Sequence, residues 1–274
     1  MQDDLKEATV AAQLDTSWIG RSYQYMESVG STNETLKQQL ALGGINTPPS
    51  GAVVLAEFQE RGRGRFNRSW QAPPHTSLLL SVLFRPNWQA RHLSWLTMIA
   101  GLAVAEAIEK ATSIPAFLKW PNDVVIRQGD TWAKVSGILL EGSITPEQRL
   151  ANAVLGTGIN VNIRAADLPS AHQPATSLMI VAGKPVARLP LLVALLQRLE
   201  SWYEAAEKNR SPHTPWNQRL ITLNQRVVVK RMGEDSELLG TAEGTDELGQ
   251  LLVRDDQGRL HAVMAADVTL RRAT

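Results

Sequence analysis

The chain has 274 residues, with 28 Lys and Arg against 27 Asp and Glu, a formal charge of +1, 43% apolar residues and no cysteine. That composition is expected of a soluble globular protein of one or two domains, and it excludes a disordered chain, a coiled coil, a disulfide framework and any thiol nucleophile or cysteine-held metal. The balanced charge argues against a broad nucleic-acid-binding face, no run approaches 18 consecutive apolar residues, and the acidic start MQDDLKEATVAAQLD lacks the order of a secretory signal. A cytoplasmic protein without a membrane partner is expected.

Residues 1–20 show no clear period and read as a tail or one short helix. In SVGSTNETLKQQLALGG, Ser31 and Glu34 have capping-box spacing, and Gly43-Gly44 close the helix. Residues 52–58 and 77–85 read as buried strands on either side of an Arg/Gly loop at 61–68. Residues 91–112 repeat Leu93, Leu96, Met98, Leu102, Ala105 and Ile108 as a core-facing helix. Short β-rich runs follow at 117–120, 123–126, 134–142 and 150–163, at a spacing that predicts a mixed, mainly antiparallel sheet. Helices return at 189–207 and around 214–221. From Arg226 onward, short strands alternate with Gly/Asp turns, as in a small β-barrel. The fold class is therefore α+β, with domains at 1–222 and 223–274.

Four stretches carry candidate chemistry. Arg61, Arg63, Arg65 and Arg68 fall within eight residues, interleaved with Gly62 and Gly64 and followed by Trp70. Such a cluster repels itself unless an anion neutralises it, and glycines able to take φ > 0 let the backbone approach a phosphate or carboxylate. A solvated basic turn or an RNA contact accounts for it too. In KWPND (119–123), Pro121 interrupts a strand ladder and turns the chain where Asn122 and Asp123 emerge. That carboxylate could hold a divalent cation or orient a lysine; an Asx-turn is the plainer account. Lys134 opens the apolar run KVSGILLE (134–141), where it could be an edge-strand gatekeeper, and Gly137 within that run suggests close approach of a ligand or backbone. Last, Gly156 and Gly158 in GTGINVN (156–162) read as a turn at a strand end. The five histidines have no metal-binding spacing, so no transition-metal site is expected.

In this order, STN (31–33), AEFQERGRGRFNRSW (56–70), KWPND, KVSGILLE and GTGINVN closely resemble the biotin–protein ligases, from about Glu27 to the C-terminus. The resemblance implies a class II synthetase-like catalytic domain with a small SH3-like C-terminal barrel. It implies activation of biotin with ATP and Mg²⁺ to biotinyl-5′-adenylate, then transfer to a lysine of a carboxylase's biotin carboxyl carrier domain. By resemblance, Ser31, Thr32 and Asn33 contact the ureido ring and Gln59 lies near the carboxylate end. Arg63, Gly64 and Arg65 line the carboxylate and adenylate phosphate, and Gly137 belongs to the biotin wall. Lys134, with Arg63 and Arg65, is the catalytic candidate. Arg65, Arg68, Trp70, Asn122 and Asn160 are assigned to the nucleotide, and Asp123 to Mg²⁺.

The chain departs from the family at Asn67, where many members carry glycine, and at Phe66 beside it. Asn tolerates the left-handed region best among non-glycine residues. The 127–133 hairpin is also longer than the shortest family versions. Thirty residues precede Ser31, whereas a three-helix DNA-binding module needs roughly 50, so no specific DNA partner is expected. A sheet edge could pair with the carrier domain or with a second copy as a homodimer. The rivals are a lipoate-transferring relative and a small RNA-binding module. The first lacks the tryptophan-terminated Arg/Gly loop; the second is opposed by the near-zero charge and the absence of a stacking platform.

Overall fold

A computed structural model describes residues 4–168, 174–230, 237–264 and 266–270. The elements of the larger part are α1 (Glu7–Gln13), β1 (Tyr23–Val29), α2 (Thr32–Leu42), β2 (Val53–Gln59), β3 (Ser77–Phe84), α3 (Leu93–Thr112), β4 (Phe117–Lys119), β5 (Asp123–Gln128), β6 (Thr131–Ile144), β7 (Leu150–Asn160), α4 (Leu178–Ala182), α5 (Arg188–Glu207) and α6 (His213–Gln218). Seven strands form one sheet in the order β1-β2-β3-β7-β6-β5-β4. Only β1 and β2 run parallel; every other neighbouring pair is antiparallel.

The sheet is covered on both faces, which is why β3 reads as an unbroken apolar run rather than an alternating one. Leu78, Leu80, Val82 and Phe84 enter the main core with α3 and α5, while Leu83 joins Leu36 of α2 beneath the other face. The second face is where β2, β3, β6 and β7 present the chain's polar and glycine positions to α2.

Residues 4–20 are no tail. Leu5, Val10, Leu14 and Ile19 are buried in the main core, and α1 is the short helix allowed by the sequence. Strand β1 went unread because it is an edge with only Val29 buried, so it has no apolar alternation. Helix α4, also unread, is five residues long and starts at Ser177, whose Oγ accepts from the Ile180 amide.

The C-terminal strands β8 (Arg226–Lys230), β9 (Glu237–Thr245), β10 (Leu251–Asp255), β11 (Leu260–Val263) and β12 (Asp267–Leu270) form an antiparallel sheet in the order β11-β10-β9-β8-β12. It rests on the larger part: Trp120 Nε1 donates to the Gly249 carbonyl at 2.8 Å and Trp95 Nε1 to that of Glu247 at 3.2 Å. Val227, Val229, Leu251 and Val253 join the same buried core. No helix among the described residues is long and apolar enough to cross a membrane.

Candidate active site

The N-terminus of α2 meets the sheet through a small polar cluster. Ser31 is the N-cap residue, but its side chain makes no capping bond, and Glu34 turns outward instead of completing the box. Glu34 Oε1 lies 2.7 Å from Lys37 Nζ and 2.5 Å from Arg63 Nη2. Ser31, Thr32 and Asn33 are all buried. Gln59 Oε1 accepts from the Thr32 amide at 2.8 Å, and Ser81 Oγ lies 2.7 Å from Thr32 Oγ1 and 2.6 Å from Asn33 Oδ1. Asn33 Nδ2 donates to Glu141 at 2.7 Å.

Beside this cluster the strands are stripped to backbone. Gly156 and Gly158 lie inside β7, not in a turn, and Gly158 is the register partner of Gly137 in β6. A Cβ on Gly156 would sit 2.4 Å from Asn33 Oδ1; on Gly137 or Gly158 it would sit 2.8 or 2.6 Å from the Trp70 ring. The three glycines therefore make a floor on which Asn33 and Trp70 lie.

The Arg/Gly loop folds back on itself, with the Trp70 amide donating to the Gly62 carbonyl and the Gly64 amide to that of Arg68. Its glycines do not supply the positive φ expected of them. Gly64 has φ −114°, and Gly62 is needed because a Cβ would lie 2.3 Å from the Trp70 carbonyl oxygen. The left-handed residues are Phe66 and Asn67, both at φ 56°. For Phe66 this conformation costs roughly 1–2 kcal/mol. The guanidinium carbons of Arg65 and Arg68, 4.6 and 5.9 Å from its ring centroid, offset part of that, at about 0.5–1 kcal/mol each.

The loop's arginines have separate partners. Arg63 sits between Glu34 and Glu141, so its charge is already matched by two carboxylates. Arg65 Nη1 donates to Asn122 Oδ1 at 3.1 Å, and Arg68 pairs with Asp267 of β12. Burial pushes the Arg65 pKa down, Asp123 opposes that and Arg68 adds to it. Asn122 Nδ2 donates to the Ile138 carbonyl, which fixes the amide against β6.

Lys134 is not at a free edge: Val125 of β5 pairs with it on one side, and the 174–176 segment bridges it on the other through Ala175. Its Nζ lies 2.6 Å from Asp123 Oδ1 and 5.4 Å from the Trp70 ring centroid. The Asp123 carboxylate orients a lysine, one of the uses weighed for it from the sequence. No group of three or more His, Asp or Glu side chains suited to a metal occurs among the described residues. Asn160 is buried and donates to the Thr176 carbonyl at 3.0 Å.

Three residues of the site received no role from sequence. Lys119 is the cross-strand partner of Asp123, and burial, together with Lys134 and Arg68, depresses its pKa against the pull of Asp123. Its signal was its place in KWPND. Ser81 is the one hydroxyl in the middle of SLLLSVLF, and Glu141 is the acid that ends KVSGILLE. Trp70 Nε1, Ser136 Oγ and Thr176 Oγ1 are buried without a hydrogen-bond partner. Orphaned polar atoms around Lys134 and the glycine floor are what a site for a polar ligand leaves behind. The arrangement has hydroxyls and amides at one end, a flat glycine floor, and the cations Lys119, Lys134 and Arg65 at the other. It suits an uncharged polar ring tethered to an anion.

Comparison with known proteins shows which family the chain is similar to. Residues 25–160 match the Biotin/lipoate A/B protein ligase family, and residues 222–271 match the Biotin protein ligase C terminal domain. A biotin–[acetyl-CoA-carboxylase] ligase from Mycobacterium tuberculosis is 32% identical over 258 residues, covering 91% of this chain and 90% of the relative. One from Paracoccus denitrificans is 33% identical over 252 residues, covering 87% and 96%. Among solved structures, the biotin protein ligase from Aquifex aeolicus in complex with biotin and ATP superposes with a TM-score of 0.74 at 28% identity, covering 92% of this chain and all of that one.

Proposed function

The chain belongs to the biotin–protein ligases, and on that premise we propose that it activates biotin with ATP and transfers it to a lysine of a biotin carboxyl carrier domain. In the first step a biotin carboxylate oxygen bonds to the α-phosphorus of ATP and pyrophosphate leaves. In the second, the carrier lysine's amine attacks the acyl carbon, loses a proton and expels AMP. The reading rests on one observation: the polar cluster at Thr32–Asn33 and the cations Lys119, Lys134 and Arg65 lie at opposite ends of one glycine floor.

Both reactants of the first step are anions, so cationic groups aimed at the developing charge are the main requirement. Lys134 supplies one, held in place by Asp123, and Arg65 supplies another through its anchor on Asn122. Arg63, matched by Glu34 and Glu141, is given the task of pinning the loop. The ureido ring is assigned to Ser31–Asn33, with Gln59 beside them, and its two N–H donors and one acceptor suit hydroxyls and amides. Trp70, Arg68 and Asn160 are assigned to the nucleotide side.

Magnesium is usually bound through one or two carboxylates plus substrate phosphates, so the single carboxylate of Asp123 fits it. When bound, the ion would neutralise phosphate charge during adenylation. The proposal includes residues 1–222 as the catalytic domain, 223–274 as an SH3-like domain, and a cytoplasmic location without sequence-selective DNA binding. Incubation with labelled biotin, ATP, Mg²⁺ and the carrier domain of an acetyl-CoA carboxylase tests it. Label in the carrier that is lost when its acceptor lysine is changed supports the proposal; an unlabelled carrier contradicts it.

A further inference from the structure

Glu141 joins the Arg/Gly loop to the polar cluster at α2. Its Oε2 accepts from Asn33 Nδ2 at 2.7 Å and from Arg63 Nη2 at 2.8 Å, and its Oε1 from Lys37 Nζ at 2.9 Å. Glu34 also pairs with Lys37 and Arg63, so the four charges balance.

The consequence lies in where the protons sit. An ionised carboxylate only accepts, so the Asn33 amide has to turn Nδ2 toward Glu141. Its Oδ1 then faces Ser81 Oγ at 2.6 Å, and an amide oxygen only accepts. The single Ser81 proton therefore goes to Asn33. Thr32 Oγ1 has two acceptors in reach, Ser81 Oγ at 2.7 Å and Gln59 Oε1 at 3.1 Å, and gives its proton to one of them. Either way the Thr32 hydroxyl meets an incoming ligand with lone pairs alone. A cyclic urea presents two N–H donors, which need acceptors.

We propose that Glu141 is a positioning residue for biotin: acting through Asn33 and Ser81, it sets Thr32 as an acceptor for a ureido N–H. This rests on the reading of the site given above. Burial by itself would raise the Glu141 pKa, but hydrogen bonds from Asn33 and Lys37 and the Arg63 charge outweigh it and hold the carboxyl below its usual range. The charge persists at neutral pH. The other acceptor for Asn33 Nδ2 is the Leu139 carbonyl at 3.4 Å, a much longer contact, so without the Glu141 charge the Asn33 amide can turn over, Ser81 can donate to Thr32, and the hydroxyl can point its proton at the ring.

The test compares wild type, Glu141→Gln, Ser81→Ala and the double variant in biotin-dependent ATP–pyrophosphate exchange. Glu141→Gln keeps the shape of a mostly buried side chain and removes its charge. It is expected to raise the KM for biotin by about 10-fold, the size of a lost charge-assisted hydrogen bond, with kcat and the KM for ATP held within about 2-fold because Glu34 still pairs with Arg63 and keeps the loop pinned. On the Ser81→Ala background the same change should add less than about 3-fold, because the relay is already cut. An unchanged biotin KM overturns the assignment. So does an equal rise in the KM for ATP, or the same factor on both backgrounds. Absence of exchange in the wild type defeats the parent reading instead, so the two failures are distinguishable.

Discussion

Lys134 Nζ lies 2.6 Å from Asp123 Oδ1, a pair made across neighbouring strands that leaves the ammonium over the Trp70 ring, 5.4 Å from its centroid. If this ammonium stabilises charge in adenylation, Lys134→Gln slows pyrophosphate exchange by about 10²–10³-fold, the usual cost of one preorganised electrostatic contact. Binding of a neutral biotin analogue lacking the carboxylate should hold within about 2-fold. Near-normal exchange would demote the lysine, and equal loss of affinity for biotin and for the analogue would indicate a collapsed pocket.

The loop also touches the C-terminal sheet through Arg68 and Asp267. Both side chains are substantially exposed, so the pair contributes no more than about 1 kcal/mol to stability. Its effect is expected on loop order instead. Trypsin should cut the 61–68 segment faster in Asp267→Asn than in wild type, and biotin with ATP should slow cleavage in both, because bound anions relieve the repulsion between Arg65 and Arg68. Identical cleavage with and without ligands would count against an ordering loop.

Gly156→Ala tests the glycine floor. Its Cβ would fall 2.4 Å from Asn33 Oδ1, so Asn33 has to move or the strands have to part. Overpacking of this kind costs about 1–3 kcal/mol. The KM for biotin should rise about 10-fold or more with that for ATP little changed. Gly244→Ala, with open space around its Cβ, should leave both alone. Equal behaviour of the two variants would mean that Asn33 does not read biotin.

Stability should depend strongly on a buried ion pair between β2 and α5. Arg188 and Glu57 are each 2% exposed and bonded at 2.5 and 3.1 Å, with Arg188 also donating to the Ser77 carbonyl. Arg188→Leu leaves the buried carboxylate with His75 alone among the described residues, 3.4 Å away, and should lower urea-unfolding stability by roughly 3–5 kcal/mol, with much of that recovered by adding Glu57→Gln. A loss under about 1 kcal/mol would show that Glu57 finds other compensation.

The sequence shows most of the elements because β3, β6, β7, α3 and α5 bury long apolar runs. It conceals β1, whose one buried residue leaves no pattern, and the purpose of the glycines. Gly137 and Gly158 are visible one at a time, but only the β6–β7 register puts them opposite each other under Trp70. The positive φ values fall on Phe66 and Asn67, while Gly62 serves its close contact with Trp70. Arg63 reads as a free cation until folding brings in Glu141, 78 residues away, and Glu34, whose capping role is given up for the pair.

The most direct measurement of the assigned activity is exchange of labelled pyrophosphate into ATP with Mg²⁺, run with biotin and in parallel with lipoate. Exchange that depends on biotin and stays at background with lipoate is the expected result. Exchange supported equally by lipoate, or none with biotin, would contradict it.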